Sequence, residues 1–227
     1  MNKKEILAIV VGYNVEPENM KQNIQTYIQY VDKVLIVDNS TKNMNLSTLE
    51  DDNIKYITLN GNFGIAKALN VGIKYAKENQ YKYVLTMDQD SKFNNNLIDE
   101  YSKNENEKII IYSPNYIIER KLIKKKKQDI EYVYWTMTSG NLLNIQLYEQ
   151  VGPFLEKLFI DAVDYEFCLR ARKKGYKILQ CNKAILLHNP GITKIKKIGK
   201  FEYKYGYMSP LRLYYQIRNL SVLYHYE

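Results

Sequence analysis

Short apolar runs alternate with longer polar stretches over the first hundred residues of this 227-residue chain. The runs are rich in β-branched and aromatic residues, which is typical of strands buried on both faces. They occupy Ile6–Val11, Val31–Val37, Asn53–Leu59 and Tyr81–Met87. Helices are predicted between them, at about 16–30 and 65–79. This alternation implies right-handed crossovers, so the sequence predicts an α/β fold around a mostly parallel sheet.

The rhythm of the sequence changes after residue 108. Strands are predicted at 108–113, 132–138, 176–180 and 184–187, and helices at 144–150 and 164–174. Ser209-Pro210 is a typical helix start, and Leu213, Ile217, Leu220 and Tyr224 would give the final helix an apolar stripe. We therefore predict one α/β domain at 1–200 and a basic, tyrosine-rich helical extension at 201–227.

The net charge of +8 is concentrated in two segments, 119–127 and 191–227, which contribute +5 each and leave −2 for the remainder. A near-neutral body argues against nucleic-acid binding, which needs a basic stripe across the folded surface. Two basic segments suit contact with anionic lipid headgroups, although 119–127 reads equally well as a solvated loop. The apolar stripe of the last helix could instead pack on the body or on a second copy of the chain.

Compartment is indicated by what the chain contains and lacks. The first apolar run, Ile6–Val11, is too short for the core of a signal peptide. No run approaches the roughly eighteen apolar residues that a membrane span needs. Cys168 and Cys181 are consistent with a reducing compartment and lack metal-ligand spacing. We expect a cytoplasmic protein.

Two aspartates, Asp88 and Asp90, follow the fourth apolar run. At the carboxyl end of a parallel strand such side chains point into the crevice where α/β proteins bind ligands. Their oxygens suit Mg²⁺ or Mn²⁺, which commonly share their remaining positions with phosphate and water. His188 follows the predicted strand 184–187, so it is a candidate metal or phosphate contact, with an ordinary hydrogen-bonding role as the alternative.

A glycine-containing turn, 61–72, lies between the third strand and the second helix. Gly64 would let backbone approach a ligand closely, and Lys67 could meet a diphosphate at the helix start. Asn70 lies one helical turn beyond Ala66 on the same face. The alternative interpretation is a tight turn whose small residues allow the helix to pack on the sheet.

Three carboxylates, Asp161, Asp164 and Glu166, cluster at a predicted helix start. Part of the cluster could serve as capping, because negative charge is favourable there. Glu166 and Arg170 have the i,i+4 spacing of a structural ion pair. Asp164 is then free to act as a general base on a hydroxyl.

Taken in order, these stretches resemble family 2 glycosyltransferases of the GT-A fold, most closely the bacterial rhamnosyltransferase-like branch. The stretches that carry the resemblance are 10–14, 36–40, 61–72, 85–91, 138–141 and 159–170, and residues 212–219 are similar to the family's C-terminal segment. The resemblance covers nearly the whole chain, and it implies a Rossmann-like sheet flanked by helices.

The resemblance implies roles for individual residues. In the nucleotide site, Tyr13 would pack on the base, Asp38 would hydrogen-bond it, and Gly64, Lys67, Asn70 and Asp88 would border the nucleotide. Asp90 and His188 would bind Mn²⁺ or Mg²⁺, and Asp164 would be the catalytic base. Trp135, the single tryptophan, is either core or a platform for a sugar ring, and we assign it with Glu166 to the acceptor site.

The expected activity is metal-dependent, inverting transfer of rhamnose or a hexose from a dTDP- or UDP-sugar. The acceptor would be a hydroxyl of a glycan, glycoprotein or lipid-linked intermediate in the biosynthesis of a bacterial cell-surface polysaccharide, at the cytoplasmic face of the membrane. The alternative from another class is a degenerate domain that binds nucleotide-sugar or glycan without turnover. Intact Asp90 and Asp164 argue against that alternative.

Overall fold

A computed structural model describes residues 1–117, 128–188, 193–198, 201–206 and 209–224. This part of the chain contains eleven strands and six α-helices. In chain order they are β1 Ile6–Gly12, α1 Pro17–Gln25, β2 Lys33–Asp38, β3 Ile54–Thr58, α2 Ile65–Glu78, β4 Tyr83–Asp88, β5 Ser91–Phe93, α3 Leu97–Ser102, β6 Ile109–Ile117, β7 Ile130–Val133, β8 Asn141–Asn144, α4 Ile145–Val151, α5 Val163–Lys173, β9 Lys177–His188, β10 Thr193–Ile198, β11 Phe201–Gly206 and α6 Pro210–Tyr224. The Lys-rich segment 119–127 and His225 lie outside the described residues.

The main sheet has the strand order β3-β2-β1-β4-β8-β6-β9-β5, and β7 pairs with β9. The predicted parallel pairing is confirmed for β1 with β2, β1 with β4 and β2 with β3. Beyond β4 the sheet is mixed, because β8 runs antiparallel between β4 and β6 while β6 and β9 are parallel. The parallel half carries the strand ends from which the site is built.

Strand β1 lies at the centre of the core, and all seven of its residues are buried. Ile9 faces a cluster that includes Ala66, Leu69 and Ile73 of α2, while its neighbours Ala8 and Val10 face the cluster on the opposite side of the sheet. Both faces of the strand are therefore covered, which explains why the run is apolar without alternation. Gly72 lets α2 approach closely, since a Cβ there would lie 2.7 Å from Ile9 Cδ1.

Several element boundaries differ from the prediction. The first helix ends at Gln25, and a short 3-10 helix follows at Ile28–Tyr30. The two strands predicted at 176–180 and 184–187 form the single strand β9, whose pairing with β6 shifts register between Pro114 and Asn115. The strand predicted at 132–138 ends at Val133. Four short strands and helix α3 were not predicted, because a run of three to six residues carries little periodicity.

Helix α6 packs against the body of the protein with one face. Asn219 and Leu223 are buried, whereas Leu213, Ile217 and Leu220 of the predicted apolar stripe are 49%, 63% and 64% exposed. The predicted domain boundary at residue 200 falls between β10 and β11, which pair as an antiparallel hairpin. None of the helices that the structure describes is long and apolar enough to cross a membrane.

Candidate functional site

The candidate site begins where three neighbouring strands end. Strand pairing places Asp38 opposite Gly12 and Asp88 opposite Val11, so both aspartates lie at the carboxyl edge of the parallel sheet beside Tyr13. Asp38 is buried, and its carboxylate accepts hydrogen bonds from Ser40 N at 2.9 Å and from Tyr56 Oη at 2.9 Å. The carboxyl edge of the parallel strands is where open α/β sheets bind ligands.

The turn between the two aspartates is fastened to the loop after β1 by its middle residue, Gln89. Its Oε1 accepts from Tyr13 N at 2.6 Å, and its Nε2 donates to Tyr13 O at 3.3 Å. Gln89 O also accepts from Asn23 Nδ2 at 2.7 Å. The backbone of Tyr13 is thereby held while its ring stays 44% exposed. No pattern in the sequence indicates this role of Gln89.

His188 reaches the aspartates through the pairing of β5 with β9. Ser91 lies directly opposite His188 in this ladder, and Ser91 Oγ is 2.7 Å from His188 Nδ1. The same nitrogen is 3.5 Å from Asp90 Oδ1. One ligand atom from each of Asp88, Asp90 and His188 lies within 4.8 Å of the other two. The three residues that the sequence associated with a metal are therefore together.

Negative charge predominates in this cluster. Burial, together with the charges of Asp90 and Asp164, raises the pKa of Asp88 to about 7, and Arg212 opposes the shift. Burial also raises the pKa of Asp90, against the opposing effect of His188. The pKa of His188 is lowered by burial, with Asp90 opposing. Additional positive charge at this position would relieve the repulsion among these carboxylates.

Asp164 is the second residue of α5, and its Oδ1 accepts from Tyr165 N at 2.8 Å. Burial raises the pKa of its carboxyl. Glu166 differs from it: the side chain is fully buried, and Arg170 donates to its two oxygens at 2.6 and 2.9 Å. The ion pair predicted from the i,i+4 spacing is present. A fully buried carboxylate cannot touch an acceptor, so this geometry argues against the acceptor role assigned to Glu166.

Gly64, at the start of α2, has a positive φ of 85°. A Cβ on this residue would lie 2.5 Å from Phe159 O, and Ile65 N donates to the same carbonyl at 2.7 Å. The close approach that requires glycine is thus made by protein backbone. The structure supports the packing interpretation of this turn, and contact of Gly64 with nucleotide stays a prediction.

The other two residues assigned to this helix have protein partners. Asn70 Nδ2 donates to Phe154 O at 2.9 Å and Glu156 Oε1 at 3.1 Å, while its Oδ1 accepts from Tyr148 Oη at 2.9 Å and Phe154 N at 3.0 Å. Its amide has reached its full hydrogen-bonding capacity. Lys67 is half-exposed and lies 3.3 Å from Glu156. These contacts give Asn70 a structural role, and the nucleotide role of both residues stays a prediction.

Trp135 contacts the first turn of helix α5. It is 51% exposed, and its ring meets Tyr165, the residue after Asp164, edge-on with centroids 6.0 Å apart. The core interpretation of this tryptophan does not fit its exposure. A half-exposed indole fits the sugar-platform interpretation, which stays a prediction.

The C-terminal helix reaches this site, which sequence reasoning missed. The guanidinium of Arg212 donates to Asp161 over 3.0 to 3.3 Å, and this contact raises the pKa of the arginine. Its charge also acts on Asp88 and Asp90. The one indication of this contact in the sequence is the resemblance of residues 212–219 to the family's C-terminal segment, which by itself implies no role for Arg212.

Among the solved structures that share this fold are GalNAc-T7 and TarS. The chain superposes on GalNAc-T7, which was crystallised with UDP, GalNAc and Mn²⁺. The TM-score is 0.70 and the identity 12%, and the superposition covers 83% of the present chain. The superposition on S. aureus TarS has a TM-score of 0.59 and 19% identity, and it covers 96% of the present chain. The chain spans 44% and 39% of those two chains. The GT-A fold is confirmed by this likeness.

Sequence relatives lead to the family. The chain is 32% identical over 237 aligned residues to the dTDP-rhamnosyl transferase RfbF of Shigella flexneri, covering 96% of this chain and 79% of the relative. It is 25% identical to the low-salt glycan biosynthesis hexosyltransferase Agl10 of Haloferax volcanii, covering 85% of this chain and 69% of the relative. Residues 8–155 match the family described as Glycosyl transferase family 2. The chain belongs to this glycosyltransferase family.

Proposed function

We propose that the protein transfers a sugar, rhamnose or a hexose, from a dTDP- or UDP-sugar to a hydroxyl of a glycan, glycoprotein or lipid-linked acceptor, with inversion. The observation that carries this proposal is the convergence of Asp88, Asp90 and His188, together with an Asp164 carboxylate near enough for its charge to raise the pKa of Asp88. Identity to a dTDP-rhamnosyl transferase over most of the chain favours dTDP-rhamnose as the first donor to test.

The donor nucleotide is proposed to lie against the loop after β1. Tyr13 offers an exposed ring to the pyrimidine base, and Asp38 has acceptor capacity beyond its two protein hydrogen bonds. Gln89 supports this surface by holding the Tyr13 backbone. The diphosphate would then reach the carboxylate cluster from the edge of the sheet.

A divalent cation fits the residues that converge there. Asp88 and Asp90 offer hard oxygens, and burial lowers the pKa of His188, which keeps its imidazole neutral and able to ligate. An imidazole suits a transition ion better than Mg²⁺, so Mn²⁺ is the preferred candidate over Mg²⁺. When bound, such an ion would offset the negative charge that develops on the departing nucleoside diphosphate.

Asp164 is proposed as the general base. Its carboxylate would take the proton of the acceptor hydroxyl while that oxygen attacks the anomeric carbon and the nucleoside diphosphate leaves from the opposite face. Burial raises the pKa of Asp164, which makes the carboxylate a stronger base than an exposed aspartate. Trp135, whose ring meets that of the adjacent residue Tyr165, is proposed to receive the acceptor sugar.

The test is a panel of nucleotide-sugars with Mn²⁺ or Mg²⁺ and a hydroxyl-bearing glycan acceptor, followed by release of dTDP or UDP. We expect release that needs both metal and acceptor, and a product of inverted anomeric configuration. Failure of every dTDP- and UDP-sugar with either metal would refute the donor proposal. A product that keeps the donor's anomeric configuration would refute the single displacement.

The exposed face of α6 supports a second, separate proposal. Leu213, Ile217 and Leu220 are half-exposed or more, and the sequence from residue 191 onward carries +5. An apolar face combined with basic charge suits the surface of an anionic membrane, where a lipid-linked acceptor would be presented. The competing occupant of this face is a second copy of the chain, which sedimentation with vesicles distinguishes.

A further inference from the structure

Segment 158–161 leads into α5 through Ala162, and the backbone of this stretch is unusual. Phe159, Asp161 and Ala162 have φ values of 64°, 61° and 64°, a region that residues with a Cβ seldom adopt. Ala162 directly precedes α5, in which Asp164 is the second residue. A conformation of this kind persists only where the surrounding contacts determine it.

One buried side chain of α6 contacts three backbone carbonyls of the segment. Asn219 is fully buried, and its Nδ2 lies within donating distance of three carbonyl oxygens: Leu158 at 2.9 Å, Ile160 at 2.8 Å and Asp161 at 2.8 Å. Its Oδ1 accepts from Arg218 Nη2 at 2.7 Å. The amide therefore spans the segment from inside the protein.

Neighbouring side chains of α6 hold the same segment. Arg218 Nη2 donates to Leu158 O at 3.0 Å, and its guanidinium lies 4.6 Å from the centroid of the Tyr215 ring. Tyr215 in turn stacks on Phe159, with centroids 4.7 Å apart and planes 18° from parallel. Arg212 binds the carboxylate of Asp161.

The opposite side of the segment contacts the start of α2. Phe159 O accepts from Ile65 N, and Gly64 leaves no room for a Cβ against Phe159. This second attachment is made by backbone, whereas the attachment to α6 depends on side chains. The segment thus joins α6 to the proposed donor side of the site.

We infer that α6 is a working part of the active site, in which Asn219 is a positioning residue that holds segment 158–161 and thereby sets the place of Asp164. The inference rests on the proposed role of Asp164 as base. It also changes the expected result of deleting the C-terminal region, because loss of α6 would release the catalytic segment as well as any surface contact.

The primary variant is Asn219→Asp, which keeps the size of the side chain and the oxygen facing Arg218 but replaces the amide donor with an acceptor. We expect kcat to fall at least tenfold while the KM for the donor, and the thermal shift produced by dTDP or UDP with Mn²⁺, stay within twofold. Asn219→Ser, which retains one donor, should lose less activity and serves if the aspartate variant does not fold. Gln216→Ala, on a partly exposed side chain of the same helix, is the matched control and should keep the wild-type kcat.

Combination with Asp164→Asn separates positioning from a general loss of structure. If Asn219 acts through Asp164, Asn219→Asp should cause no further loss of residual transfer once Asp164 is already asparagine. Losses that multiply in the double variant would overturn the inference, as would folded Asn219 variants with wild-type kcat. Full activity of Asp164→Asn alone would instead refute the proposed base, so the two failures can be told apart.

Discussion

The raised pKa of Asp88 leads to a prediction about stability in the metal-free protein. The pKa moves from 3.8 to about 7, so between these values the folded protein holds a proton that the unfolded chain has released. The folded state binds more protons at Asp88 in this window, so the contribution of Asp88 to stability falls as pH rises through it. At about 1.4 kcal/mol per pKa unit, a shift of about three units corresponds to roughly 4 kcal/mol lost by pH 8.

The perturbation that tests this reasoning is Asp88→Asn, which cannot ionise. With EDTA present, we expect the variant to be more stable than the wild type at pH 8 by up to about 4 kcal/mol. The difference should shrink towards pH 4. Urea unfolding at several pH values measures it, and Asp52→Asn, at an exposed aspartate, provides the control. A difference between wild type and Asp88→Asn that is independent of pH would refute the electrostatic argument.

Metal should narrow the difference in stability between the wild type and Asp88→Asn. Saturating Mn²⁺ binds the folded wild type, and a concentration 100 times its Kd would add about 2.7 kcal/mol to the free energy of unfolding. Asp88→Asn loses one proposed ligand and should gain much less. Equal stabilisation of both proteins by Mn²⁺ would show that the ion binds elsewhere.

Three further predictions concern the other parts of the site. Asp164→Asn should lower the transfer rate by about 10²- to 10⁴-fold and keep the nucleotide-induced thermal shift, whereas Glu166→Gln should mainly lower stability, by about 3 kcal/mol, because it breaks a buried ion pair. The reverse pattern in folded proteins would move the base to Glu166. Asp90→Asn should abolish the part of the dTDP or UDP thermal shift that needs Mn²⁺, and an undiminished shift would remove Asp90 from the metal site. Ile217→Glu combined with Leu220→Glu should reduce co-sedimentation with anionic vesicles; unchanged sedimentation together with a lower mass in solution would indicate a second copy of the chain on this face.

Much of the donor side was predictable from sequence because it depends on local rules. A continuous apolar run followed by a polar residue marks the end of a buried parallel strand, and parallel neighbours end at the same edge of the sheet. Asp38 and Asp88 are therefore expected together at one edge of the sheet, whatever their side chains contact. The Glu166–Arg170 pair was equally accessible, since helical geometry alone brings residues four apart together.

The metal cluster was only partly predictable. His188 was singled out because it follows a strand, but its position next to Asp90 depends on β5, which has three residues and pairs antiparallel with β9. So short a strand has no periodicity to detect. The functions of Asn70 and Gly64 were also ambiguous, because a saturated amide and a close backbone approach become visible only when their partners are in place.

The sequence by itself determined the α/β class, the polar residues that follow the parallel strands, the resemblance to the family and the aspartates that line the sheet edge. Only the tertiary structure decided that α6 belongs to the site, because Arg212 and Asn219 contact a segment some fifty to sixty residues earlier in the chain. Spacing along a sequence describes neighbours within a helix or strand. Contacts between distant segments depend on how elements pack, and no local pattern encodes them.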